Sequence, residues 1–63
     1  MQFIDAVIEA ETQLDWGRDP KQVEVALGHL RAVWPESVMI RPLQMKLVQL
    51  RLADELSRFH PGR

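Results

Sequence analysis

The chain has 63 residues, a net charge of −1, 46% hydrophobic and 27% charged residues, and no cysteine. This fits one globular domain over residues 1–63 and excludes a disulfide scaffold, a cysteine-ligated zinc, and any overall electrostatic pull toward nucleic acid or anionic lipid. The longest apolar runs are a few residues against the ~20 that span a bilayer. Asp5, Glu9 and Glu11 interrupt the amino-terminal apolar residues where a signal peptide needs continuity, so a cytoplasmic protein with no membrane contact is expected.

Residues 2–16 repeat apolar positions as Phe3, Val7, Ala10 and Leu14, flanked by Ile4 and Ile8, with Asp5, Glu9, Thr12 and Gln13 opposite. That spacing predicts an amphipathic helix, stopped by Gly17 in a left-handed conformation. Acids near its start suit the positive end of the helix dipole, whereas Asp15 near its finish does not. The "DPKQ" at 19–22 predicts the next start: Asp19 caps, Pro20 takes the first helical position, and Gln22 stands where a capping box wants Glu or Gln. The second helix is expected over about 20–34, burying Val23, Ala26, Leu27, Leu30, Val33 and Trp34, with Pro35 as its stop. Gly28 inside it costs about 1 kcal/mol relative to alanine, which implies close approach of a neighbour. With Val25 and Ala32 it forms a narrow strip of small residues.

Residues 36–41 connect to a third helix expected over about 42–59, with Val38, Met39 and Ile40 tucked against the core. Pro42 should hold Arg41 extended and open the helix, and "HPG" at 60–62 should close it. Set 100° apart, Met45, Val48, Leu52, Leu56 and Phe59 form one full-length stripe. Leu43, Leu47 and Leu50 fall nearly opposite. Two hairpin helices cover one such face easily and two with difficulty, so the second face is expected to meet a partner. Leu43, Leu47 and Leu50, with Lys46 and Arg51 beside them, are the expected partner-binding residues. The fold expected is all-α: an antiparallel helical hairpin with the third helix packed across it.

Charge is uneven along the chain. Residues 1–17 carry four acids and no base, while 41–63 carry Arg41, Lys46, Arg51, Arg58 and Arg63 against Asp54 and Glu55. Opposite segments attracting within one bundle, or between subunits, account for this. The alternative is a helix-turn-helix-like DNA-binding regulator reading bases with Gln44, Lys46, Gln49 and Arg51. Against it stand the slightly acidic chain and a connection longer than the usual tight turn.

Signatures of catalysis are missing: no glycine-rich phosphate loop, no nucleophile elbow, no HExxH and no paired cysteines. His29 and His60 stand alone and read as surface or capping residues. Glu9, Glu11 and Asp15 share a helix without a histidine partner and read as a solvated face. Trp16 and Trp34 each close a helix and are expected to anchor the core. A non-enzymatic chain without cofactor or metal is the expectation.

Counted back from Pro35, Val7, Ala10, Leu14, Val23, Leu27 and Leu30 occupy the small or apolar positions of a tetratricopeptide repeat, with "GRDP" at its internal turn. Residues 4–37 thus resemble one tetratricopeptide-type hairpin. Val7 and Leu14 stand where that family places tryptophan and tyrosine, Glu11 where it places glycine, and Val23 where it places alanine. The resemblance implies protein binding, with the third helix as a cap or docking helix. Small helical chaperones and adaptors of bacterial secretion systems are similar in architecture. A small interaction module is therefore expected, acting as an adaptor, chaperone-like or regulatory subunit that self-associates as a homodimer or binds a partner helix.

Overall fold

The computed structural model describes residues 2–58. They form three helices, α1 (Phe3–Trp16), α2 (Pro20–Val33) and α3 (Ile40–Arg58), and no strand. Phe59, His60 and the "HPG" stop lie outside the described residues.

α1 starts after an extended Gln2 that provides no side-chain cap. It buries Ala6 and Ala10 completely and Val7 and Leu14 in part, while Phe3, Ile4 and Ile8 stay half exposed. Small side chains at 6 and 10 allow α2 to lie close, and that leaves the bulkier neighbours at the edges. Gly17 closes the helix with its N–H donating to the Gln13 carbonyl at 2.8 Å. Its φ of −62° and ψ of 135° are extended, not left-handed. Glycine is needed there for space: a Cβ would overlap the Gln13 carbonyl oxygen and lie 3.0 Å from Val23 Cγ2.

α2 begins as the sequence indicates. The Asp19 carboxylate accepts from the Lys21 N–H at 3.0 Å, with Pro20 in the first position. Val23, Ala26, Leu27 and Leu30 are buried. The helix ends at Trp34, whose N–H donates to the Leu30 carbonyl at 2.7 Å. The following turn is built on Ser37, which is buried. Its hydroxyl accepts from the Met39 N–H at 3.1 Å, and its carbonyl from the Ile40 N–H at 3.2 Å. This starts α3 two residues earlier than expected, at Ile40, and makes Arg41 helical. Pro42 sits in the first turn, where a missing N–H forfeits no intrahelical bond.

The connection of residues 17–19 turns α2 back along α1. Phe3 meets Trp34 across one end, ring centroids 5.4 Å apart. α3 then runs antiparallel to α2, with Arg51 beside Glu24 at 3.0 Å. Ala10, Val23, Leu27, Leu30, Leu43 and Leu47 form the core, with Val7, Leu14, Met39, Ile40 and Leu50 packed on its margin. At ~1.5–3 kcal/mol per fully buried aliphatic side chain, Val23, Leu30 and Leu43 alone rival the net stability of so small a fold.

This arrangement corrects several sequence expectations. Leu43 and Leu47, expected to meet a partner, are core of the chain itself, and Leu50 is half-buried against them. Trp16, at the last position of α1, is 79% exposed and anchors nothing. Val38 is 84% exposed; of the three connecting apolar residues only Met39 and Ile40 pack inward. Gly28 has no heavy atom within 4 Å of a constructed Cβ, so no neighbour in the chain approaches it.

Candidate interaction surface

α1 and α2 have 14 residues each and α3 has 19, so helices of about 21 Å lie against one of about 28 Å. The extra length projects past the hairpin, and the described residues measure 47 × 16 × 16 Å along their principal axes. Every residue from Arg51 to Arg58 is exposed. Along α3 runs an uncovered stripe of Met45, Val48, Leu52 and Leu56, which are 56%, 52%, 54% and 67% exposed. The stripe starts on the part of α3 that packs on α2 and continues onto the projecting part.

Between α2 and the first half of this stripe lies an open groove of about 650 Å³. Its floor is Leu27 and Leu47. Glu24, Gly28 and Arg31 line it from α2, and Gln44, Met45 and Val48 from α3. Gly28 contributes no side chain, so the α2 wall is cut away at mid-length. The expected strip of Val25, Gly28 and Ala32 is exposed, and its glycine opens onto this groove. A groove with an apolar floor between two helices, beside an uncovered apolar stripe, is the shape that receives an amphipathic helix.

The charged residues expected at the interface are engaged within the chain. Lys46 donates from Nζ to the Leu14 carbonyl at 2.6 Å, across the end of α1. Arg51 pairs with Glu24, both half exposed, and Arg58 with Asp54 at 3.1 Å. Gln44 lines the groove and Gln49 is exposed. His29 Nδ1 lies 2.8 Å from Glu9 Oε1, linking α2 to α1, so Glu9 is not simply part of a solvated face. Arg31, Arg41 and Glu55 are in no ion pair among the described residues, as is also true of Asp5, Glu11, Asp15, Arg18, Lys21 and Glu36 elsewhere on the surface. No group of three or more His, Cys, Asp or Glu among them could hold a metal ion, and no described helix is long and apolar enough to cross a membrane.

No family model, curated protein or solved structure matches the chain. The surface has to be read from its own geometry. Of the two apolar stripes on α3, the one through Met45, Val48, Leu52 and Leu56 is the exposed one. The difference is one of position: Leu43, Leu47 and Leu50 fall on the part of α3 that lies beside α2, whereas Leu52 and Leu56 fall in the fully exposed stretch from Arg51 to Arg58.

Proposed function

We propose that this chain is a non-enzymatic interaction module that binds an amphipathic helix on the Met45–Val48–Leu52–Leu56 face of α3 and the adjoining α2 groove. The observation that carries the proposal is the projecting end of α3. A helical segment with nothing packed on it gains little from propensity alone, because isolated helices under ~12–15 residues are marginal in water. Leu52 and Leu56 therefore stay exposed on a helix that a partner would stabilise. The adaptor, chaperone-like and homodimeric roles all fit such a face, as does a tetratricopeptide-like origin for the α1–α2 hairpin. DNA reading by Lys46 and Arg51 finds less support, because both side chains are engaged by α1 and α2.

Two substitutions on the same helix test the face. Leu52→Glu should leave the helical circular dichroism of the dilute chain intact. It should also abolish either concentration-dependent mass in light scattering or, in a monomer, fluorescence of a bound hydrophobic dye. Leu47→Glu should unfold the chain, since it places a carboxylate in the core. Unfolding by Leu52→Glu, or a wild-type chain that neither associates nor binds dye, would refute the proposal.

A further inference from the structure

We infer that the occupant of the groove is a second copy of this chain, bound antiparallel about a two-fold axis, so that the projecting α3 end of each copy fills the α2–α3 groove of the other. The inference rests on the interaction face proposed above and names its partner.

Each copy supplies both halves of the contact, an open groove and an unsupported helix end, and the same stripe runs through both. When two α3 helices pair antiparallel, Leu52 and Leu56 of one copy can lie against Val48 and Met45 of the other. A two-fold axis repeats that contact with no new surface, which is the requirement of a closed, isologous dimer. Gly28 matters here because its wall of the groove carries no side chain: the open space around it admits the incoming leucines.

Charge selects the same register. Antiparallel pairing that seats Leu56 on Met45 brings Glu55 of one copy level with Met45 of the other. Arg31 lines the groove at that level and Arg41 lies one turn further toward the start of α3. On α3, Glu55 falls on the same side as Gln44, the side that faces the groove. Arg31, Arg41 and Glu55 are all exposed and without ion-pair partners among the described residues, whereas Arg51, Arg58, Glu24 and Asp54 are already paired. At the level where two copies would meet, the unpaired charges of one copy's groove and the other's helix end are thus of opposite sign. A parallel pairing would set Glu55 beside Glu55 and leave both arginines unanswered.

The test is sedimentation velocity on the full chain from micromolar to millimolar, with helicity followed by circular dichroism. The wild type should pass from monomer to dimer. Gly28→Gln should raise the dimer dissociation constant at least tenfold without lowering monomer helicity, because its Cβ enters open space and the rest of its side chain occupies the groove. Arg31→Glu and Glu55→Arg should each weaken the dimer at least tenfold, and the double variant Arg31→Glu/Glu55→Arg should recover to within threefold of wild type. A double variant no tighter than the single ones, or single variants that associate like wild type, would overturn the antiparallel register. A wild type monomeric at millimolar that still binds dye through Leu52 would overturn the second copy as occupant and leave the interaction face standing. Loss of dye binding as well would remove the face itself.

Discussion

Replacing Gly28 by alanine adds a methyl group in the interior of α2, where no heavy atom lies within 4 Å of the new Cβ. Nothing in the chain must move to receive it. The change therefore reduces to the difference in helix propensity, about 0.8–1.0 kcal/mol in favour of alanine. For a fold of this size that corresponds to a rise in melting temperature of about 4–8 °C. Gly17→Ala supplies the opposite case with the same added atom. Its backbone, at φ −62° and ψ 135°, suits any residue, so no conformational cost enters. The new Cβ, however, overlaps the Gln13 carbonyl oxygen, lies 2.7 Å from Gln13 Oε1 and 3.0 Å from Val23 Cγ2. Overpacking of that kind costs about 1–3 kcal/mol. Urea unfolding followed by circular dichroism, at protein concentrations low enough to keep the chain monomeric, measures both. Opposite signs are expected. A destabilising Gly28→Ala at low concentration would mean that Gly28 is approached closely within the chain and that the groove beside it is closed.

Leu43→Ala, at a fully buried position, should cost about 2–5 kcal/mol and bring the chain close to unfolding, while Leu56→Ala on the projecting helix should change urea stability by less than about 0.5 kcal/mol. Asp19→Ala should lower stability by about 1 kcal/mol in the same assay through loss of the bond to the Lys21 N–H, with Asp19→Asn retaining most of it. A double-mutant cycle on Glu24 and Arg51 should return a coupling below about 1 kcal/mol that shrinks further in high salt, because both side chains are more than half exposed.

The three helices were legible because their punctuation is chemical and local. Asp19–Pro20 marks a start whatever surrounds it, and Pro35 marks a stop. The two faces of α3 were legible for the same reason, since angles around one helix follow from spacing alone. Which face turns inward was not, because that depends on the lengths and positions of two other helices. Leu43, Leu47 and Leu50 fall where α3 lies beside α2 and Leu52 and Leu56 fall beyond it, which only the assembled positions of the helices reveal. Gly17 and Gly28 nearly exchange the roles that spacing predicts for them. Gly28, inside a helix, is open, while Gly17, just past a helix end, has extended backbone and is a site of close contact. A glycine in sequence reports that a side chain is missing, not whether space or backbone geometry is the cause. Ser37 organises the turn into α3, yet one serine in an apolar stretch has no periodicity to announce it.

α1 ends with no basic residue in its last turn and with Asp15 placed unfavourably there. The cation that answers its terminal carbonyls is Lys46, which reaches the Leu14 oxygen from 32 residues away. This distance bears on the order in which the chain assembles. α2 carries its own cap in Asp19 and can begin from contacts near in sequence, and the α1–α2 hairpin can zip from the residue 17–19 turn. The last turn of α1 closes locally through the Gly17 N–H, and only the Lys46 bond to the Leu14 carbonyl waits until α3 has been made and laid down. A fragment ending at residue 36 would keep a capped α2 and leave the Leu14 carbonyl without that donor. During synthesis, that carbonyl, near the amino terminus, would be among the last groups to gain its side-chain partner.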